Sequence, residues 1–187
     1  MTTAHWFGPN ADTSKGEGHP VMFGFAPALE FDPFPEGGGY PKGFLTRAYQ
    51  LVKASDPDTV LHMCSGSVQR GIRLDVRAEK RPTVIADARH APFKDGSFSA
   101  ILIDPPYSED YATNLYGTGA VYPAPGALMA EACRLLKPGG RVGMLHFQVP
   151  MIRKPLRMVR VFGITTGSGY AIRAFTVCEK PAQGRLV

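Results

Sequence analysis

Apolar positions in this chain come in short blocks whose spacing switches between helical and extended periods. Over 41–53, PKGFLTRAYQLVK, the residues Phe44, Leu45, Ala48, Leu51 and Val52 recur at helical spacing, and Pro41 suits a first helical turn. Asp56-Pro57-Asp58 breaks that helix. The next blocks are shorter: TVLHM (59–63), IRLDV (72–76), TVIAD (83–87) and FSAILID (98–104) read as strands, the last apolar enough for the middle of a sheet. A helix over 126–136 is closed by Lys137-Pro138-Gly139-Gly140, and RVGMLHF (141–147) follows as a fifth strand. MVRVF (158–162) and AIRAFTVC (171–178) form an antiparallel pair around the turn region 163–169. Residues 1–40 show no period. Their Gly, Pro and aromatic residues, among them Trp6, Phe23 and Phe34, describe an arm packed on a body that occupies 41–187.

Strands alternating with helices or long turns, then a closing hairpin, predict an α/β domain with a mostly parallel sheet. Ligands of such sheets bind beyond the carboxyl ends of the strands. Ser65-Gly66-Ser67, Asp75, Asp87 and Asp104-Pro105-Pro106-Tyr107 all stand at predicted strand ends, so one crevice is expected to collect them.

Composition narrows this picture only modestly. A chain of 187 residues that is 44% hydrophobic suits one domain with a full core. No apolar run approaches the ~20 residues that span a bilayer, and the N-terminal stretch shows no secretory signal. The three cysteines, Cys64, Cys133 and Cys178, are far apart and in no metal-like spacing, so a reduced, cytoplasmic protein is expected. The formal charge of +5 is compatible with a polyanionic partner and by itself is weak evidence for one.

Two blocks carry a family likeness. DARHAPFKDGSFSAILIDPPY (87–107) and LLKPGGRVG (135–143), in that order and separation, resemble the class I S-adenosylmethionine-dependent methyltransferases, and within them the amino-methyltransferases with a DPPY motif. The resemblance implies a Rossmann-like fold and S-adenosylmethionine as cofactor. It implies that the turn Cys64-Ser65-Gly66-Ser67 cradles the methionine part and that Asp75, with Val76 beside it, accepts from the ribose. Asp87 would accept from the adenine amino group with Ala88 and Arg89 beside the ring, and Pro41 and Lys42 would close over the methionine end. Two positions depart from the pattern: His62 stands where an acid is usual and Val68 where a second glycine is usual. His62 and Cys64 complete the cofactor-side set, with core packing as the alternative role for both. So few residues separate Gly66 from Asp75 that a short turn must replace the usual helix between the first two strands.

The motif itself has a chemical logic. An exocyclic amine on a nucleobase is a poor nucleophile because its lone pair is delocalised into the ring. Accepting hydrogen bonds from both its N–H groups favours a tetrahedral, more nucleophilic nitrogen. Asp104 offers one acceptor and the carbonyl of Pro105 the other; Pro105 and Pro106 stiffen the loop, and Tyr107 gives a base a flat face. Tyr111, Tyr116 and His146 are further candidates for the substrate pocket, with loop packing as the alternative. Neither a metal nor a covalent enzyme intermediate is required. The family likeness points to a nucleobase amine, adenine N6 in DNA ahead of RNA or a small heteroaromatic amine. A non-catalytic, nucleic-acid-binding subunit that keeps the fold is the alternative of another class, and a specificity partner or a homodimer would supply what so short a chain lacks for reading sequence.

Overall fold

The computed structural model describes residues 5–8, 24–25, 40, 43–116, 122–165 and 171–182, with 5–8, 24–25, 111 and 114–116 described by their backbone alone. The predicted strands are present as β3 (Leu61–Met63), β4 (Ile72–Asp75), β5 (Val84–Ile85), β6 (Phe98–Ile103), β7 (Leu136–His146), β8 (Arg157–Thr165) and β9 (Arg173–Glu179). The helices are α1 (Phe44–Leu51), α2 (Glu109–Tyr116) and α3 (Pro125–Leu135). Two strands lie in the segment expected to be a patternless arm: β1 (His5–Gly8) and β2 (Gly24–Phe25). They join the sheet edge through main-chain pairing, β1 antiparallel to β8 with His5 opposite Thr165. Edge pairing of this kind needs no alternating side-chain pattern, which is why periodicity passed over it.

The nine strands of the described residues form one sheet in the order β2-β1-β8-β9-β7-β6-β3-β4-β5. From β5 to β7 the pairs are parallel, and β7, β9 and β8 follow as an antiparallel group. The mixed sheet has the predicted parallel core and antiparallel closing pair. Each element is a residue or more from its expected bounds; β7 departs most, starting at Leu136 directly after α3, so that the Lys137–Gly140 stretch is helix stop and strand start together. Lys180 fixes this junction, its Nζ donating to the Cys133 and Leu136 carbonyls at 2.8 Å each.

The parallel strands β3 to β6 are joined without α-helices. Residues 64–71 alone connect β3 to β4, and short 3-10 turns at Ala78–Lys80 and Ala88–His90 serve the next two crossings. Gly71 makes the first connection feasible: its φ is 77°, and an added Cβ would sit 2.7 Å from the Val60 carbonyl oxygen.

Two apolar layers cover the sheet. On one face Phe44, Leu45, Ala48 and Val52, at the helical spacing read from sequence, pack on Val60, Leu102, Leu145, Phe162, Phe175 and Val177. On the other, Leu128, Met129, Ala132 and Leu135 of α3 pack on Met63, Leu74, Ile101, Ile103 and Met144. Each fully buried large side chain stabilises the fold by roughly 1.5–3 kcal/mol. Gly143 in β7 leaves the space that Phe175 fills, since an added Cβ would lie 2.4 Å from the Phe175 ring. Phe175 meets Phe44 edge-on at 4.9 Å, and Phe44 stacks on Tyr40 at 5.0 Å.

Candidate active site

Strand order reverses between β3 and β6, because β4 and β5 lie to one side and β7 to the other. A ligand crevice in an open α/β sheet opens at such a point, outside the carboxyl ends. Met63 and Ile103 are the last residues of the two strands, and the Asp104 N–H still reaches the Met63 carbonyl at 3.4 Å. Beyond Met63 the chain turns sharply, with Cys64 at φ 57° and Gly66 at φ 52°. A left-handed conformation is costly for any residue with a Cβ, so Cys64 holds local strain at this strand end.

Asp75 braces the turn. Its Oδ2 accepts from the Gly66 N–H at 2.8 Å and from Arg77 Nη2 at 3.1 Å, while Oδ1 accepts from the Arg77 N–H and Nε at 3.0 Å each. Burial alone would raise its pKa, but the Arg77 guanidinium and the Gly66 and Arg77 amides outweigh it and hold the carboxyl low. Asp75 is 3% exposed, and both oxygens accept hydrogen bonds from the protein. Asp87 shows the same Asp-x-Arg pattern in a more open setting. Arg89 donates to it through its backbone N–H, Nε and Nη2, and this contact is the main cause of its depressed pKa. Val76 is exposed beside Asp75, and Ala88 is buried beside Asp87.

The three strand-end acids converge around Cys64. Its thiol is pushed up by burial first, and then by the charges of Asp75, Asp104 and Asp87, with Arg77 opposing. Ser65 is buried and its hydroxyl has no partner among the described residues. Ser65, Gly66 and Ser67 follow the end of β3, and Asp104 follows the paired end of β6. His62 lies elsewhere: its Nε2 is 3.2 Å from the Tyr49 hydroxyl of α1, and its ring meets Tyr49 edge-on at 5.9 Å. Burial, then Arg73, lowers its pKa to about 4, so it is a neutral core residue that docks α1, the packing role expected as its alternative.

Asp104 is half-buried, and burial raises its pKa to about 6 against the opposing pull of Arg173 and Tyr107. Tyr107 donates from its hydroxyl to Asp104 Oδ1 at 3.0 Å. The Tyr107 ring is edge-on to His146 at 5.6 Å and tilted to Phe147 at 4.6 Å. Pro105 is buried and Pro106 half-buried. His146 accepts from the Gln148 N–H at Nδ1, which leaves its proton on Nε2, 3.2 Å from the Tyr122 hydroxyl. Burial lowers its pKa, so the ring is neutral. Pro41 and Lys42, and the side chains of Tyr111 and Tyr116, lie outside the described residues.

Three residues absent from the motif complete the site. Tyr40 is 4% exposed, its hydroxyl has no partner among the described residues, and burial followed by the Asp104 charge raises its pKa well above normal. Tyr122 reaches His146, and the Tyr107 carbonyl at 3.5 Å. Arg173 opens β9. Because β9 runs antiparallel to β7, with Ala174 opposite His146, its first residue lies at the edge where the parallel strands end. Its Nη1 donates to the Tyr107 hydroxyl at 2.9 Å, and its guanidinium carbon lies 6.0 Å from that ring's centre. The sequence signal was a cation at the head of the closing strand, which acquires meaning only once the strand order is known. Exposed Phe147, Val149, Met151 and Ile172 make an apolar rim from the residues that flank these strand ends.

Comparison with known proteins bears on this arrangement. No family model matches the sequence, and no curated protein matches it. Among solved structures the chain is similar to TrmN from Thermus thermophilus, with a TM-score of 0.54 and 19% identity over 74% of this chain and 48% of that one. It is also similar to a Haloferax volcanii protein solved in complex with the Trm112 methyltransferase activator, with a TM-score of 0.51 and 14% identity over 75% of this chain and 90% of that one. The fold is that of the class I methyltransferases. The chain spans about half the length of the TrmN structure. Within the class I methyltransferase fold, the Gly66 turn and Asp104 follow the paired ends of β3 and β6, where strand order reverses. Among the described residues no helix is long and apolar enough to cross a membrane, and no cluster of His, Cys, Asp or Glu could hold a metal ion.

Proposed function

We propose that the chain is an S-adenosylmethionine-dependent methyltransferase that modifies an exocyclic amine of a nucleobase, with adenine N6 in DNA the first substrate to test. One observation carries the reading. A half-buried carboxylate at the end of a central strand neighbours the strained glycine turn that ends the paired strand, beside an aromatic ring fixed at the mouth of the crevice.

The residues present fit the cofactor in part. The buried, unpartnered hydroxyls of Ser65 and Tyr40 beside the turn are donors and acceptors that a polar ligand would satisfy. Ser65, Gly66 and Ser67 would hold the amino-acid end, and Asp87, whose side chain is 35% exposed, can exchange Arg89 for a ligand N–H at modest cost. Asp75 contributes by shaping the turn. Bound there, S-adenosylmethionine would supply an already activated methyl group, so alignment is the main task left to the protein.

Asp104 does the substrate-side work. Its carboxylate accepts one N–H of the amine, and the Pro105 carbonyl is the second acceptor. Tyr107, with Phe147 and Ile172 at the rim, offers a flat apolar surface for the ring that bears the amine. As the nitrogen forms its new bond to carbon it loses a proton, which Asp104 is placed to take and pass to water. The formal charge of +5 favours a nucleic acid over a neutral small molecule as the carrier of that base.

Nucleoside mass spectrometry of DNA and RNA from cells producing the protein, or its Asp104→Ala variant, tests the proposal. The wild type is expected to add an N-methylated base to one of the two pools. Asp104→Ala should lower transfer by at least about 10³-fold while calorimetry shows S-adenosylmethionine affinity within a few-fold of wild type. Equal methylation by both proteins rejects the assignment of Asp104, and the absence of S-adenosylmethionine binding by the wild type rejects the enzyme.

A further inference from the structure

Asp104, Tyr107 and Arg173 are linked in a chain whose Arg173 end can only donate. A guanidinium carries donors and no acceptor, so at the 2.9 Å contact the Tyr107 oxygen must accept from Arg173 Nη1. The phenol has a single hydrogen, which it donates to Asp104 Oδ1, 3.0 Å away, when that group is a carboxylate. Oδ1 is thereby loaded, while Oδ2 makes no hydrogen bond with the described residues. The three residues come from different parts of the chain: the end of β6, the loop after it, and the head of β9.

We propose that Arg173 is a positioning residue which, acting through Tyr107, keeps Asp104 an acceptor and presents Oδ2 as its free oxygen to the crevice. The geometry stands without any reading of function; its purpose rests on the methyl-transfer proposal, since only the carboxylate can both accept an amine N–H and take up its proton.

The surroundings support a chain rather than an isolated contact. His146 and Phe147 pack on the Tyr107 ring at 5.6 and 4.6 Å, and Arg173 lies near its face, so the phenol has little freedom to rotate away from Asp104. Among the described residues, the titratable groups that face Asp104 are Tyr40 ahead of α1, Cys64 after β3, Tyr107, and Arg173 on β9. Of these only Arg173 is a cation. Burial pushes Asp104 toward the protonated form, and the charge of Arg173 and the hydrogen bond from Tyr107 oppose it. Without Arg173 the Tyr107 hydroxyl becomes free to accept a hydrogen bond, and a protonated Asp104 could then donate to it. The crevice would then hold a neutral acid, a weaker acceptor that cannot take the amine proton, with every side chain of the DPPY motif still in place.

The experiment is carbon-13 NMR titration of the full chain, free of added ligand, labelled at aspartate carboxyl carbons. Asp104 is assigned by its loss in Asp104→Asn. Wild type should titrate near pH 6 at this position. Arg173→Met and Tyr107→Phe should each raise the midpoint by about one unit, Arg173→Lys should recover most of the difference, and Arg173→Met placed on Tyr107→Phe should add less than half of its effect alone. An unchanged midpoint in Arg173→Met overturns the proposal. So does an equal shift with and without the phenol, which would mean a through-space charge and no relay. Should Arg173→Met fail to fold, Arg173→Gln is read by the same criteria. The titration needs no turnover, so its outcome stands apart from the methylation assay. Methylation with a flat Arg173 result sinks only the relay, and a relay without methylation sinks only the reaction.

Discussion

Single carboxylates in this protein have very different work to do, and the surroundings decide which. Asp104 sits where burial opposes its charge, with one oxygen held by a phenol and the other open. Asp75 is further out of water, yet it is saturated by an arginine and by the amide of a glycine in the neighbouring turn. The first arrangement suits a group that must act on something else; the second suits a brace. Replacing Asp75 by Asn removes the charge of the acceptor that holds the Gly66 N–H and should cost about 1–3 kcal/mol. Hydrogen exchange at the Gly66 amide should accelerate by at least tenfold, and an unchanged rate would show that the brace is not what holds the turn. Sequence made all the strand-end acids legible, because each follows an apolar block. It could not separate brace from acceptor. That distinction lies in Arg77 and Arg89, which fold back on the acids two residues before them.

At the scale of elements, the wall of the crevice is held from behind. Tyr40 stacks on Phe44, Phe44 meets Phe175, and Phe175 occupies the gap above Gly143. A glycine in the middle of a buried strand thus governs where an aromatic hydroxyl stands two layers away. Gly143→Ala should destabilise the protein by about 1–3 kcal/mol through overpacking and should loosen ligand binding at the crevice by displacing Tyr40. Chemical denaturation and calorimetry check both parts; wild-type stability in the variant would mean that Phe175 moves aside freely. Helices α1 and α3 and the strands from β3 onward were readable, since α1 and α3 keep their apolar stripes and β6 its apolar run, whereas α2 falls in a stretch that reads as a loop. The register that sets Arg173 beside Tyr107 was not, because it depends on β9 entering between β7 and β8. Nor were β1 and β2, whose place in the sheet rests on backbone pairing.

For the molecule as a whole, two buried ionisable groups act against each other across the mildly acidic range. Folded Asp104 keeps its proton up to about pH 6, well above its ordinary value, so its contribution to stability is full in acid and declines as pH rises through 6. His62 stays neutral down to about pH 4 when folded, so its contribution is present above its ordinary pKa and is lost as pH falls from about 6.5 through 4. The slopes oppose, and stability should vary little between pH 4 and 6 on their account. Asp104→Asn removes one slope. The variant should be more stable than wild type at pH 7, by on the order of 2 kcal/mol, and should weaken visibly on acidification below 6.5. Thermal melts across pH will show this, and a variant no more stable than wild type at pH 7 would remove the case for an elevated Asp104.

The helix-free connections of the parallel half have a consequence for assembly. Leu61 pairs with Ile72, and Leu74 with Val84, each a single tight excursion along the chain. His5 pairs with Thr165 only after nearly the whole polypeptide has been made. Contacts between near neighbours in sequence close quickly, and distant ones carry the entropy of a long loop. The half that carries the Gly66 turn can therefore form early, and the N-terminal strands dock last onto a surface that the rest has already built.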